Sequence, residues 1–566
     1  MRNKYVDGME KRSAFGWRLR SAIFSSGGLN AYLVSAGAML FGAMPVQAMS
    51  VYSGSDYGNN LEVNLTTTIS YTGLWRVSDP SATLKPAEDG DANFQHGLVG
   101  NLFSAVPVLD IRDGDYGAHF SGQFYINLPY LGTNQNDLSP YSSAIYTDKQ
   151  TDFASGTRNV NGENAQLLDA FVFGQHTFDD GQSVQVKVGR SVLFWGQSLF
   201  FPTDGIAGGQ APINLISAQN LINPQAQQVF MPVGQAILTY EPRSGTTIQG
   251  YYQFEWEPNY YQGEGAYFSF ANIYDRGASY LTLANLGSAT VGLTRTKNVN
   301  PPAQNGQFGL SLQQEVGTWD LGIYGERFDA KAPLVGIAPT GGAAPIAGAV
   351  ASALSAGTYT LIYPRDIWLQ GVSFSTNLGA ANVAGEFSVR EHQPLVTNAS
   401  AIAYVIAPGQ NATNNPGYPV GNVWDAQLSG IYVSPPVPLD PGGVAIAGEV
   451  VLNHLINVTA NRADLRTDGQ ATAGAFDVAI TPTYNDVLPS LQITLPVSLT
   501  YDYLGRSEMD PTIYHGVGLF TAGVAATYKV NWSASLSYQD YLGKPNTVYN
   551  PLADRSFIAL NLQRTF

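Results

Sequence analysis

The chain carries 566 residues, a formal net charge of −15, 13% charged and 12% aromatic residues, and no cysteine. Such acidity without Lys/Arg runs excludes nucleic-acid binding, which needs clustered cations against phosphates; the missing cysteines exclude disulfides, thiolate metal sites and cysteine-linked lipid. Past the N-terminus no run of roughly eighteen apolar residues occurs, which excludes helical membrane spans.

In chain order, residues 1–48 read as an export signal. Arg2, Lys4, Lys11, Arg12, Arg18 and Arg20 precede a small-residue apolar run from Ala31 to Met44, and Val46-Gln47-Ala48 supplies small side chains for cleavage after Ala48. The run has about fourteen residues, short of the about twenty that a spanning helix requires. Cleavage removes six basic and two acidic residues, taking the net charge from −15 to −19 and leaving 49–566 as the mature chain.

The mature chain alternates. Val184, Val186 and Val188 are interleaved with Gln185, Lys187 and Gly189; Ile248, Tyr252, Phe254 and Trp256 with Gln249, Gln253, Glu255 and Glu257. Leu491 to Asp502 repeats the pattern, with Pro496 predicting a bulge or a distorted stretch because it lacks a ladder donor. Val530 to Gln539 and the closing stretch follow suit: Ile558, Leu560, Leu562 and Phe566 share one parity, Ala559, Asn561, Gln563 and Thr565 the other, with Arg564 as the departure. Period-two alternation puts one face on lipid and the other on a polar interior. Short turns such as Asp179 to Gln182 and Pro242 to Gly245 alternate with long connections: 127–163, 263–302, 330–364, 391–422 and 453–489. Together these predict an all-β, transmembrane antiparallel β-barrel of about sixteen strands, range 14–18, with long extracellular loops and an inserted lumen segment. Phe566 is the expected assembly signal for the barrel-assembly machinery. Ala343 to Leu354, nearly all small residues, reads equally as a short helix or as filler.

One stretch breaks the rhythm. Residues 195–235 show no alternation, many amides, and prolines at 202, 212, 224 and 232. An irregular stretch this long and this rich in aromatic and aliphatic residues predicts a plug or constriction, the alternative being an ordinary outside loop.

Several blocks carry a family likeness. LLDAFVFGQHTF at Leu167 to Phe178, VKVGRSVLFWGQSLFFP at Val186 to Pro202, INLISAQNLINP at Ile213 to Pro224 and YYQFEWEP at Tyr251 to Pro258 resemble the signature of the outer-membrane family called domain of unknown function 1302. In the same order come LTTTISYTGLWR from Leu65, DANFQHGLV from Asp91, GAYFS from Gly265, the long block from Gly371 to Leu395, AGEV from Ala447, and YKVNWSASLSYQDYLG with the closing DRSF. Gln197 and Ser556 stand where the pattern leads one to expect acidic residues. The resemblance implies an exported outer-membrane protein, often encoded beside a second exported family, and brings no substrate with it.

The candidate lumen and constriction residues are Arg190, Trp195, Phe200, Phe201, Asn214, Asn223, Phe230, Glu255, Glu257, Glu386 and Glu449. Carboxylates on the polar parity can line a pore, pair with the inserted segment or stand solvated, and an Arg190–glutamate latch is one expectation. The six histidines show no zinc spacing, and no phosphate loop follows the glycine pairs, so neither metal nor cofactor is expected and the chain is read as no enzyme. The apolar, amide-studded segment points to passive passage of a small hydrophobic or aromatic ligand. Alternatives are a structural or assembly partner of a periplasmic protein, or an outer-membrane hydrolase.

Overall fold

Period-two alternation closes into an antiparallel barrel of eighteen strands, two more than the expected sixteen and at the top of the expected range. The computed structural model describes residues 49–53, 60–85, 89–136, 151–274, 276–285, 289–298, 301–346, 353–398, 403–407, 409–436 and 442–566. The expected export signal, 1–48, lies outside these residues. In order the strands are β1 (Leu61–Arg76), β2 (Gly97–Asp113), β3 (Tyr116–Asn127), β4 (Glu163–Thr177), β5 (Ser183–Ser191) and β6 (Val233–Arg243). There follow β7 (Thr246–Gln253), β8 (Gln307–Val316), β9 (Trp319–Phe328), β10 (Ile367–Leu378), β11 (Ala381–Pro394) and β12 (Val420–Val433). The last are β13 (Val444–Ala460), β14 (Thr472–Leu488), β15 (Leu491–Thr494 and Val497–Leu504), β16 (Gly518–Tyr528), β17 (Trp532–Leu542) and β18 (Phe557–Thr565). Pro496 divides β15 where its missing donor requires.

Closure is made by the final strand. β18 pairs antiparallel with β1 from Thr68↔Thr565 to Arg76↔Phe557, and the terminal Phe566 exchanges backbone hydrogen bonds with Thr67 at 3.0 and 3.3 Å. A short strand, Met49–Ser53, pairs with β1 below that point and so continues the β18 column past the C-terminus. Arg564, the charge on the outward parity, lies over the rings of Trp532 and Phe566 at 4.7 and 4.2 Å, so its stem covers apolar surface while its guanidinium meets aromatic faces.

The outward parity is apolar around the ring: Phe120, Leu238, Leu310, Ile323, Val450 and Leu562 are all exposed. The inward parity buries polar side chains, among them Gln123, Gln253, Ser388, Gln427 and Asn561. A soluble domain would reverse this; a belt of exposed apolar side chains around a polar interior is that of a membrane barrel. Among the described residues no helix is long and apolar enough to cross a membrane.

Short turns gather at one end and long connections at the other. Three of the long connections are not independent loops. Tyr280–Asn285, Thr290–Arg295, Leu334–Pro345, Ala353–Ile362 and Ala403–Val405 form a separate five-stranded sheet at the long-loop end. The helix considered for Ala343 to Leu354 is not seen at its described ends, where Ala344↔Ser355 and Pro345↔Leu354 pair as strand; residues 347–352 lie outside the described residues. The alternation read through Glu257 also stops earlier. β7 ends at Gln253, and Trp256, expected on the lipid parity, is buried against Tyr363 at 4.9 Å. Val530 likewise leaves its strand: it and Lys529 take φ of 67 and 49 in the turn before β17.

A buried ion cluster ties the long-loop end to the wall. Asp91 Oδ1 accepts from Arg76 at 2.6 Å and from Arg555 at 3.2 Å, Asp554 approaches both guanidiniums, and these lie near the Tyr267 ring at 5.8 and 5.6 Å. Both arginines are at most 1% exposed. Removing one partner of such a set leaves buried charge uncompensated, at about 3–5 kcal/mol. Asp91→Ala is therefore expected to lower markedly the temperature at which the unboiled protein loses compact electrophoretic mobility, whereas Asp110→Ala, at an exposed carboxylate, leaves that temperature near its original value.

Candidate functional site

After β5 the chain turns into the barrel. Its amide- and proline-rich composition folds as short pieces: a 3₁₀ turn at Ile206–Gly209, α1 (Leu215–Asn220) and α2 (Ala226–Val229). Asn214 caps α1 by accepting from the Ser217 N–H at 3.1 Å, and Gln225 and Gln228 form a reciprocal box on α2. Asn223, at φ 64, turns the chain just before Pro224. The two flanks are stapled by Asn214 N–H to Val229 O at 2.7 Å and Met231 N–H to Pro212 O at 2.8 Å.

This segment crosses the lumen from wall to wall. Its first part lies on β9 to β13, and its return lies on β2 to β4, where Leu221 packs against Leu102 and Tyr125. Because irregular backbone has no ladder, its N–H groups need acceptors from the wall. Glu386 on β11 accepts from the N–H of Gln197 and, at 2.8 Å, of Ile206. Glu449 Oε2 on β13 accepts from the successive N–H groups of Leu199 (3.0 Å), Phe200 and Phe201 (3.1 Å) and from Ser198 Oγ at 3.3 Å, a nest filled by a carboxylate. Carbonyls are met in turn: Arg390 donates to Thr203 O and Gly205 O at 3.1 and 2.7 Å, Gln427 to Phe201 O at 2.8 Å, Lys331 to Gly209 O at 2.6 Å. Gly196 and Gly205 lie so close to the Glu386 carboxylate that a Cβ at either would collide with it.

The sequence-predicted residues separate into groups. Arg190 and Glu255 form the expected latch; Glu255 also accepts from Gly234 N–H, and Arg190 donates to Pro232 O at 3.0 Å, which fastens the far end of the segment. Glu255 and Glu257 stand beyond the end of β7, in the connection that follows it. Burial and the charge of Glu255 raise the Glu257 carboxyl above its ordinary range. Trp195 is buried against Tyr251 and Tyr324, its indole N–H donating to Gln249 at 2.7 Å. Phe200 and Phe201, at 0% and 1% exposure, fill the space left by Ala447, Ala473, Ala475 and Ala479. Phe230 packs edge-on to Phe194 at 4.4 Å. These rings fix the segment and do not line open space.

Open space lies on the long-loop side. A cavity of about 710 Å³ is bounded by Ile213 and Leu215 of the segment and by Tyr261, Phe270, Tyr274 and Val335 of the long connections; its polar part holds Asp204, Arg390, Asp425, Asn453 and Asp510. Sequence reading missed Glu326, Arg390 and Asp425, which sit in cleanly alternating strands where an inward charge looks like any solvated lumen charge. Glu326 receives Gln210 Nε2 at 2.9 Å, and Gln210 in turn receives Trp195 N–H at 2.8 Å. Nearer the short turns, Ser121 Oγ donates to Asp169 at 3.0 Å and His119 Nδ1 meets Asp110 at 2.6 Å.

Each buried donor left without an acceptor costs on the order of 1–3 kcal/mol. Glu386→Ala combined with Glu449→Ala is therefore expected to free the segment, read as new protease cleavage within 195–210 in the folded barrel; Glu386→Gln with Glu449→Gln, which keeps acceptor oxygens, is expected to resist cleavage far better.

Among solved structures the chain is similar to OccAB1 of Acinetobacter baumannii (10% identity, TM-score 0.43, covering 92% of this chain and 99% of that one). It is also similar to a BenF-like porin from Pseudomonas fluorescens Pf-5 (9%, 0.41, 90% and 98%) and to Salmonella typhi OmpF in complex with daunomycin (8%, 0.36, 92% and 100%). At these identities and scores the likenesses carry nothing about cargo. No curated protein matches. The family model described as protein of unknown function DUF1302 matches residues 29–566, nearly the whole chain, and the protein belongs to that family.

Proposed function

We propose that the protein is an outer-membrane channel for passive passage of hydrophobic or aromatic small molecules, with residues 195–235 as its constriction and residues 1–48 as its export signal. The cavity of about 710 Å³ carries this reading: its volume suits one small molecule, and its walls are aromatic and aliphatic with a few convergent polar groups. The apolar belt fits a lipid surround, and the terminal Phe566 in the seam fits recognition by the barrel-assembly machinery. A gradient or a periplasmic partner would drive net movement. Passage requires the segment to shift or to leave a path beside it, which the carboxylate anchors control.

The test is flux into liposomes. Purified barrel is expected to admit an uncharged naphthalene-sized solute faster than an uncharged sugar of equal mass, and deletion of residues 200–229 is expected to raise both rates and abolish the preference. Equal, background-level flux before and after deletion would sink the proposal.

A further inference from the structure

The polar end of the cavity is short of positive charge. Asp204 of the inserted segment is 5% exposed, and its Oδ2 makes no hydrogen bond among the described residues. Facing it are the carboxyl of Asp510, which shares a side-chain hydrogen bond with it, and that of Asp425. Asp425 sits directly opposite Asn453 across β12 and β13; Asn453 is 1% exposed, lines the same cavity, and its Nδ2 has no hydrogen-bond partner among the described residues.

The nearby cations are already engaged. Arg390 holds the carbonyls of Thr203 and Gly205 and lies 3.5 Å from Asp425, so one guanidinium serves two backbone groups and one acid. Lys331 donates to Gly209 O and shares its surroundings with Glu326 and Asp329. Asp510 spends one oxygen on the Thr512 N–H and hydroxyl at 2.8 and 2.6 Å. The charge of Arg390 also reaches Asp204, but Asp204 shares its buried place with two further acids, which is costly unless a cation or a proton neutralises the surplus. Burial first, and then the charges of Asp510 and Asp425, hold its carboxyl well above the ordinary range.

The same cavity is lined by aromatic faces. Tyr261 and Tyr274 stack at 3.9 Å with planes 5° apart, and Phe270 meets both edge-on. An occupant therefore meets π-surface as well as acids and a free amide donor.

Resting on the channel reading above, we infer that the cavity selects amphiphilic amines: an aromatic or aliphatic body against Tyr261, Phe270 and Tyr274, and an ammonium at the Asp204–Asp510 pair. The ammonium takes the place that a proton otherwise fills on Asp204, and Asn453 Nδ2 donates to an acceptor on the same molecule. The acidic chain as a whole favours the approach of cations over anions.

Three probes of nearly one shape separate the possibilities: naphthylethylamine, naphthylethanol and naphthylacetate, titrated by fluorescence into the intact barrel in detergent at neutral pH. The amine is expected to bind at least about tenfold more tightly than the alcohol, and the acetate more weakly than either. In Asp204→Asn and in Asp510→Asn the amine-to-alcohol ratio is expected to fall toward one. Equal binding of amine and alcohol, or tightest binding by the acetate, overturns the amine assignment and leaves the channel reading standing. A preference that survives both substitutions overturns its attribution to this pair. Binding of none of the three overturns both readings of the cavity.

Discussion

An irregular chain inside a barrel has no strand beside it to receive its N–H groups, and everything about the lumen follows from how that need is met. The barrel wall already satisfies its own backbone, so what the wall offers the segment is side chains. Glu386 and Glu449 serve the segment with carboxyl oxygens that accept several donors at once. Their inward position follows from strand parity, and glycines at 196 and 205 let the backbone come within reach. Once those contacts are made, Phe200 and Phe201 fall onto a wall of alanines and the segment acquires one seat rather than many.

The second organising contact lies nearer the rim. Arg76 ends the LTTTISYTGLWR block, Asp91 opens DANFQHGLV, Tyr267 is the tyrosine of GAYFS, and Asp554 and Arg555 begin DRSF. Blocks scattered over nearly the whole chain thus meet in one buried cluster of two arginines, two aspartates and a tyrosine ring. A cluster of that kind contributes less to stability than its short distances suggest, because burying the charges offsets much of their attraction; what it fixes is which loops lie together.

The wall was legible because its signal is local: a residue and its second neighbour share a face, and Ile558 to Leu562 or Val184 to Val188 declare this without reference to anything distant. Residues 195–235 stood out for the opposite reason, as the place where that signal fails, and the carboxylates at 386 and 449 were visible as charges on a polar parity. Which donors they receive was not, since the partners lie some 180 to 250 positions away. The same distance hid Arg390 and Asp204. Nor could the sheet at the long-loop end be read, because its strands come from three connections and only their meeting makes them strands. Glu255 and Glu257 show the converse error: alternation continued on paper after β7 had ended, since a loop can alternate by accident while Trp256 turns inward.

The shared sheet has a consequence for anything that meets the protein at its long-loop end. Its exposed positions come from Leu283, from residues 338–345 and from Val405, which three separate connections bring together. An antibody or phage fibre that touches all three reads a discontinuous epitope that exists only in the folded barrel, and a peptide copied from one loop would reproduce only part of it.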